Sequence, residues 1–292
     1  MRRLLITGAH GQLGRALAER LGSRAVAYPH AELDIADASA VERRIAAERP
    51  AGVLNTAAFN LVDAAEDRPD DAMRANHTGP LVLARACHLH RVLLVHFSTD
   101  YVFAGDGRTP LGEEDPASPR GVYGASKLAG ERAVAAEAPQ HMIMRTSGLY
   151  GSRGAGGKGG NFVDTMRRLA SKRDVIRVVD DQHVSPTSAA DLAAKTIELV
   201  DRWLATPAPD LLGLYHITNA GSCSWYEFAC EIVRRSGLGA AVEPISTAHY
   251  GARAPRPAYS VLARRHLARL NLDDMRPWRE ALADYLNPRS GT

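Results

Sequence analysis

Short, almost wholly apolar runs recur along the first half of the chain, each followed by a longer segment in which apolar residues return every three or four positions. Runs of the first kind read as strands buried on both faces, and the longer segments as amphipathic helices. The first run is Arg3-Leu-Leu-Ile-Thr7, and Leu13, Leu17 and Leu21 carry the helix after it. A second strand is expected over 24–28. Ser39, with Glu42 three residues on, then has the spacing of a capping box that opens a helix. Val53-Leu-Asn-Thr-Ala-Ala58 reads as a third strand running into a turn of small residues. A long helix is expected from Pro69 to His90, then the strand Val92–Phe97, and Met142–Thr146 gives a fifth strand. This alternation predicts an α/β chain with a doubly wound parallel sheet. In such sheets ligands bind beyond the carboxyl ends of the strands.

The second half is less regular. Helices are expected over 161–170, 189–204 and 224–236, a strand over 214–218, a polar loop over 180–187 and two helical pieces after the proline-rich stretch 252–257. The reading is a main domain of 1–150 and 185–219, with a smaller, partly helical lobe of 151–184 and 220–292. Between them lies Gly151–Gly160, with six glycines in ten residues. It reads as a surface linker, or as a lid whose Arg153 and Lys158 meet an anionic substrate.

Composition changes this picture little. Of 292 residues, 45% are hydrophobic and 24% charged, as in ordinary globular proteins. The 36 basic residues are scattered among 33 acidic ones for a net charge of +3, which argues against a nucleic-acid or membrane partner. Cys87, Cys223 and Cys230 show no paired spacing, so no disulfide framework or zinc site is expected, and a reducing cytoplasm fits. No apolar stretch reaches the ~18 residues of a membrane span. No clustered metal ligands are expected.

Three stretches carry candidate chemistry. Gly8-Ala-His-Gly-Gln-Leu-Gly14 follows the first strand and opens a helix, the context in which glycines let a backbone approach a dinucleotide pyrophosphate. Ser98-Thr-Asp-Tyr-Val-Phe103 follows the fourth strand and so falls in the crevice. Tyr123 and Lys127 are one helical turn apart. An ammonium beside a phenol favours the phenolate and lowers a pKa that is otherwise near ~10, so the pair can exchange a proton with a carbonyl or alcohol oxygen.

With Ser98-Thr99, Tyr123, Lys127 and the glycine turn together, nearly the whole chain resembles the extended short-chain dehydrogenase/reductase family. Within it, the chain is similar to the dTDP-4-dehydrorhamnose reductases at Leu33-Asp-Ile35, Asn55–Ala58, Phe97–Phe103, Arg145-Thr-Ser147, Gly160-Asn-Phe162, Asp181-Gln182, Pro186-Thr187 and Arg256-Pro257. The resemblance implies a Rossmann-type fold and NAD(P)H-dependent reduction of the 4-keto group of a nucleotide-activated 6-deoxy sugar, giving dTDP-L-rhamnose. It implies Tyr123 as proton donor, Lys127 as the residue that holds the nicotinamide ribose and lowers the tyrosine pKa, and Thr99 as the hydroxyl that positions the substrate oxygen. Gly8, Gly11, Gln12, Leu13, Gly14, Asp34, Ile35, Ala57, Ala58 and Asn76 are the implied cofactor contacts. Asp100, Tyr101, Gly148, Asn161 and Arg256 are the implied substrate contacts. Two departures stand out: Gly148 replaces the usual tryptophan of Arg-Thr-Ser-Trp, and Phe59-Asn-Leu61 replaces tyrosine and threonine types.

Asp34 lies about twenty residues past Gly14, the distance of an acid on a ribose 2′-hydroxyl. No acid, however, follows the second strand directly at Pro29-His30. NADPH is the expected cofactor, with NADH open. The partner is a small nucleotide sugar, and a homodimer is compatible with the sequence. A 4-epimerase, a dehydratase, a reductase of another keto sugar, and a non-catalytic cofactor-binding regulator like the β subunit of methionine adenosyltransferase remain as other readings.

Overall fold

The computed structural model describes residues 2–152 and 160–287. Its strands are β1 (Leu4–Thr7), β2 (Ala25–Tyr28), β3 (Gly52–Asn55), β4 (Leu93–Thr99), β5 (His141–Thr146), β6 (Leu149–Tyr150), β7 (Val175–Val179), β8 (His183–Val184), β9 (Thr187–Ser188), β10 (Gly213–His216), β11 (Cys223–Ser224) and β12 (Ala241–Ile245). Six of them form one sheet in the order β2-β1-β3-β4-β5-β10, and every pairing in it is parallel. All residues of β1, β3 and β4 are buried, as the continuous apolar runs require when helices cover both faces.

Side-chain alternation divides the sheet between two cores. Leu4, Ile6, Leu54 and Val95 face one side with Leu13, Leu17 and Leu192 of helices 12–21 and 189–205. Leu5, Val53, Leu94 and Ile143 face the other, against Val41, Leu83 and Val134 of helices 38–48, 79–90 and 122–137. A third cluster joins Tyr150 and Val163 to Phe228, Ile232 and Trp278 in the second half of the chain. The strand order reverses beside β1, so the turns after β1, β3, β4 and β5 meet at one crevice.

Several local expectations are corrected. Helix 38–48 is capped by Asp37, whose side chain accepts from the Ala40 amide at 3.0 Å, so Ser39 and Glu42 form no capping box. The expected helix 69–90 is an α-helix over Pro69–Met73, a π-helical turn over Arg74–Thr78 and an α-helix over Gly79–His90. The polar loop 180–187 contains β8, which pairs with β11. Parallel strands β7 and β12 were not foreseen, because β12 is largely exposed and includes Pro244, leaving no apolar alternation to read. Arg153 and Lys158, the suggested lid residues, lie outside the described residues.

Helix 122–137 is set by close approach. A Cβ on Gly124 would lie 2.2 Å from the Tyr101 carbonyl oxygen, and one on Gly130 would lie 2.0 Å from the Asn76 carbonyl oxygen. Both obstacles are backbone and cannot rotate away. Gly130→Ala therefore sets a helix-propensity gain of about 1 kcal/mol against an overpacking cost of about 1–3 kcal/mol. With the Asn76 carbonyl oxygen only 2.0 Å away, the cost falls at the upper end of that range, and we expect a net loss of up to about 2 kcal/mol in urea unfolding. An unchanged midpoint would show that the helix is free to move outward.

Candidate active site

The glycine turn is shaped for an anionic group. Gly14 packs so closely that a Cβ would lie 2.7 Å from the Gly8 carbonyl oxygen, whereas a Cβ on Gly11 would meet only that same oxygen, at 3.2 Å. Gly11 caps helix 12–21 with no side-chain partner for the first amides, so the helix N-terminus is left to a ligand's negative charge. The turn after β3 lies against it, since a Gly8 Cβ would come within 2.6 Å of the Ala57 amide nitrogen. Thr56 donates to the Thr7 carbonyl at 2.6 Å and fixes the two turns together. Gly8, Gly11, Gly14 and Ala57 thus come together in one cradle, whose shape and free amides fit a dinucleotide pyrophosphate.

At the carboxyl end of β4, Thr99 is 7% exposed and Asp100 3%. The Tyr123 phenol faces the Thr99 hydroxyl, and its ring meets Tyr101 edge-on with centroids 5.7 Å apart. Lys127, one turn along the helix, is buried, and its Nζ donates to the Phe97 carbonyl. Burial pushes the Tyr123 phenol up to about 12, opposed by Thr99 and assisted by its proximity to Asp100. The expected lowering by Lys127 is not what the structure has: burial, Thr99 and Asp100 set the phenol, and the Lys127 ammonium is turned to the Phe97 carbonyl. Burial likewise brings Lys127 down to about 8, partly offset by Glu131. Glu131 is itself paired with Arg145 in a buried, two-pronged bond of 2.9 and 2.6 Å.

Other expected contacts change role. The Leu13 and Ile35 side chains belong to the two cores, 5% and 4% exposed, so only their backbone could meet a cofactor. Gln12 keeps a buried Oε1 without a partner. Asp34 is ion-paired to Arg74 at 2.5 Å, which holds its carboxyl below the usual range and occupies the oxygens a ribose would use. Asn76 bonds the Phe59 amide and carbonyl, each at 2.9 Å, and Ser126 at 3.0 Å; it anchors the turn after β3 to the π-helical segment, with both side-chain N–H donors used.

On the substrate side, Asn161 caps helix 162–170 through Asp164 and donates to Gly151 and Tyr285, a structural task. Asp100 is not an open pocket residue: its carboxyl is bonded to the Thr99, Ser147 and Ser260 hydroxyls. Arg256 pairs with Asp63 at 2.8 Å and lies against Tyr101. Gly148 follows β5 with φ +54°, and a Cβ there would lie 3.1 Å from the Pro186 Cα, so this backbone as it stands disfavours a tryptophan. The sequence reading missed Ser147, Ser260 and Asp63 as site residues. No motif marks Ser260, and only the Arg-Thr-Ser string brought Ser147 into view.

Comparison with known proteins decides the family. The RmlD substrate binding domain model matches residues 1–290. The chain belongs to that family. It is 44% identical over 287 residues to the dTDP-4-dehydrorhamnose reductase of Streptomyces griseus, covering 97% of this chain and 92% of that one. It is 40% identical over 287 residues to a probable dTDP-4,6-dihydroxy-2-methyloxan-3-one 4-ketoreductase of Streptomyces antibioticus, covering 97% and 84%. The crystal structure of dTDP-4-dehydrorhamnose reductase from Bacillus anthracis in complex with NADP superposes with a TM-score of 0.91, 38% identity and coverage of 99% and 100%. The RmlD-family chain is thus an oxidoreductase of the dTDP-4-dehydrorhamnose reductase kind. Among the described residues no helix is long and apolar enough to cross a membrane, and none group to hold a metal ion.

Lys127 is a buried cation held at a cost to the fold. Its drop from 10.5 to about 8 means the unfolded chain binds the proton more tightly. Stability therefore rises with pH between about 8 and 10.5, and below 8 the folded state bears the full penalty, roughly 3 kcal/mol. Lys127→Met removes that penalty and one hydrogen bond worth about 1 kcal/mol. We expect the variant to be about 2 kcal/mol more stable than wild type at pH 7, an advantage that shrinks toward pH 10. Urea unfolding at both ends of this range measures it; a variant less stable at pH 7 would contradict the buried-charge account.

Proposed function

We propose that the chain reduces the 4-keto group of a nucleotide-activated 6-deoxy sugar, with NADPH as cofactor, in the cytoplasm. The observation that carries this reading is the grouping of Thr99, Tyr123 and Lys127 at the carboxyl end of β4 in a chain of this family. The nicotinamide, when bound, supplies the hydride. Tyr123 keeps its proton at neutral pH and delivers it to the oxygen as negative charge develops there. Thr99 orients that oxygen, and Lys127 holds the ribose side of the site. Gly11 and the first amides of helix 12–21 receive the pyrophosphate. Asp34 is held by Arg74, and Glu48 by Tyr28 at the end of β2, so neither of these acids is free to read a ribose 2′-hydroxyl; this favours the phosphorylated dinucleotide. The smaller lobe, 151–184 and 220–292, takes the sugar nucleotide.

dTDP-4-dehydrorhamnose is the first substrate to offer, by similarity to the Streptomyces griseus and Bacillus anthracis enzymes. Gly148 favours a second reading, a reductase of a different keto sugar, because the ring the family usually presents there is missing. The assay is NADPH oxidation against a panel of 4-keto-6-deoxy nucleotide sugars. We expect turnover of the dTDP sugar, and a fall of about 10² to 10⁴ in kcat for Tyr123→Phe with NADPH affinity unchanged. Turnover of Tyr123→Phe within threefold of wild type would remove the proton-donor role. Activity confined to another keto sugar would select the second reading.

A further inference from the structure

Asp100 lies beneath the reacting groups, and its surroundings restrict where protons can be. Its Oδ2 accepts from Ser147 at 2.8 Å and Ser260 at 2.6 Å, while its Oδ1 is 3.0 Å from the Thr99 hydroxyl. The Tyr101 amide also donates to that hydroxyl, at 3.2 Å. A threonine hydroxyl has one proton and two lone pairs. If Asp100 were ionised, the Thr99 proton would have to point at Oδ1. Thr99 would then offer Tyr123 and the pocket only a lone pair, which cannot bind a keto oxygen. If Oδ1 carries a proton, Asp100 and the Tyr101 amide fill both lone pairs, and the Thr99 proton turns outward.

The geometry points to Asp100 as a positioning residue held as the neutral acid, whose proton aims the Thr99 hydroxyl, and with it the Tyr123 proton, at the substrate oxygen. The inference rests on the keto-sugar reading for its kinetic part only. The groups facing Asp100 are the three hydroxyls and the phenols of Tyr101 and Tyr123; among the described residues no lysine or arginine bonds to it. A carboxylate buried without a cation is strongly disfavoured against its neutral form. Burial accordingly pushes the Asp100 carboxyl up, against the pull of the three hydroxyls.

The test has a spectroscopic and a kinetic arm. The infrared difference spectrum of substrate-free wild type minus Asp100→Asn at pH 7 should contain the carbonyl band of a protonated carboxylic acid. In NADPH-dependent turnover, Asp100→Ala should lose about 10²-fold in kcat, as when one oxyanion donor is removed. Asp100→Asn places an amide donor toward Thr99 and an oxygen toward the serines, and should recover at least tenfold of that loss. A missing band, or Asp100→Asn no better than Asp100→Ala, overturns the proposal. Because the band is read without substrate, inactivity on every sugar alongside a clear band would overturn the reaction reading and support the protonation.

Discussion

The crevice depends on how closely helix 122–137 lies against two stretches of backbone. Its glycines at 124 and 130 admit the Tyr101 and Asn76 carbonyls to distances that no Cβ would allow. That approach brings Tyr123 against Thr99 and drives Lys127 into the protein beside the end of β4. The same helix face then buries Glu131, which Arg145 neutralises from β5. A buried ion pair is weak evidence for stability. Here its consequence is placement, because it fixes the helix to β5 next to the lysine.

Burial also sets the chemistry. Loss of solvent raises the Tyr123 phenol and lowers the Lys127 ammonium. Both shifts favour neutral species before a ligand arrives. A phenol that holds its proton is suited to act as an acid, and a lysine poised near neutrality responds to any charge placed beside it. His96, buried on β4 next to the Asn55 side chain, is held far below the usual histidine range by burial and by Lys127, and so adds no competing charge.

The strands, the glycine turn and the positions of Tyr123 and Lys127 were legible in the sequence because each rests on a local pattern: an apolar run, a turn, a helical repeat. What was not legible depends on partners far along the chain. Asp100 reads as a pocket residue until Ser147 and Ser260, 47 and 160 positions away, are seen to bond it. Asn76 and Asn161 have the residue type of ligand contacts, yet Phe59 and Ser126 engage the first, and Asp164, Gly151 and Tyr285 the second. Asp34 has the spacing of a ribose acid, but Arg74 reaches it from a π-helical turn that no periodicity announces. Strand β12 fails the apolar test for a physical reason: it is an exposed edge that contributes backbone pairing more than side-chain burial.

Ser260 also explains how the end of the chain belongs to the site. The segment 252–262 crosses the mouth of the main sheet, with Arg253 paired to Asp67, Arg256 paired to Asp63 and Leu262 bridged to Leu111. Exposed ion pairs of this kind contribute little, about 0–1 kcal/mol each. They guide the segment's course rather than hold it. The fully buried Ser260 is different, since its hydroxyl finds Asp100 at 2.6 Å and the His183 carbonyl at 3.4 Å only while the segment is seated. Displacing the segment would leave a buried carboxyl short of one of its three hydroxyl partners and Thr99 less firmly aimed. Ser260 therefore joins the lobe assigned to the sugar to the groups assigned to the proton, through a bond that a displaced segment could not make.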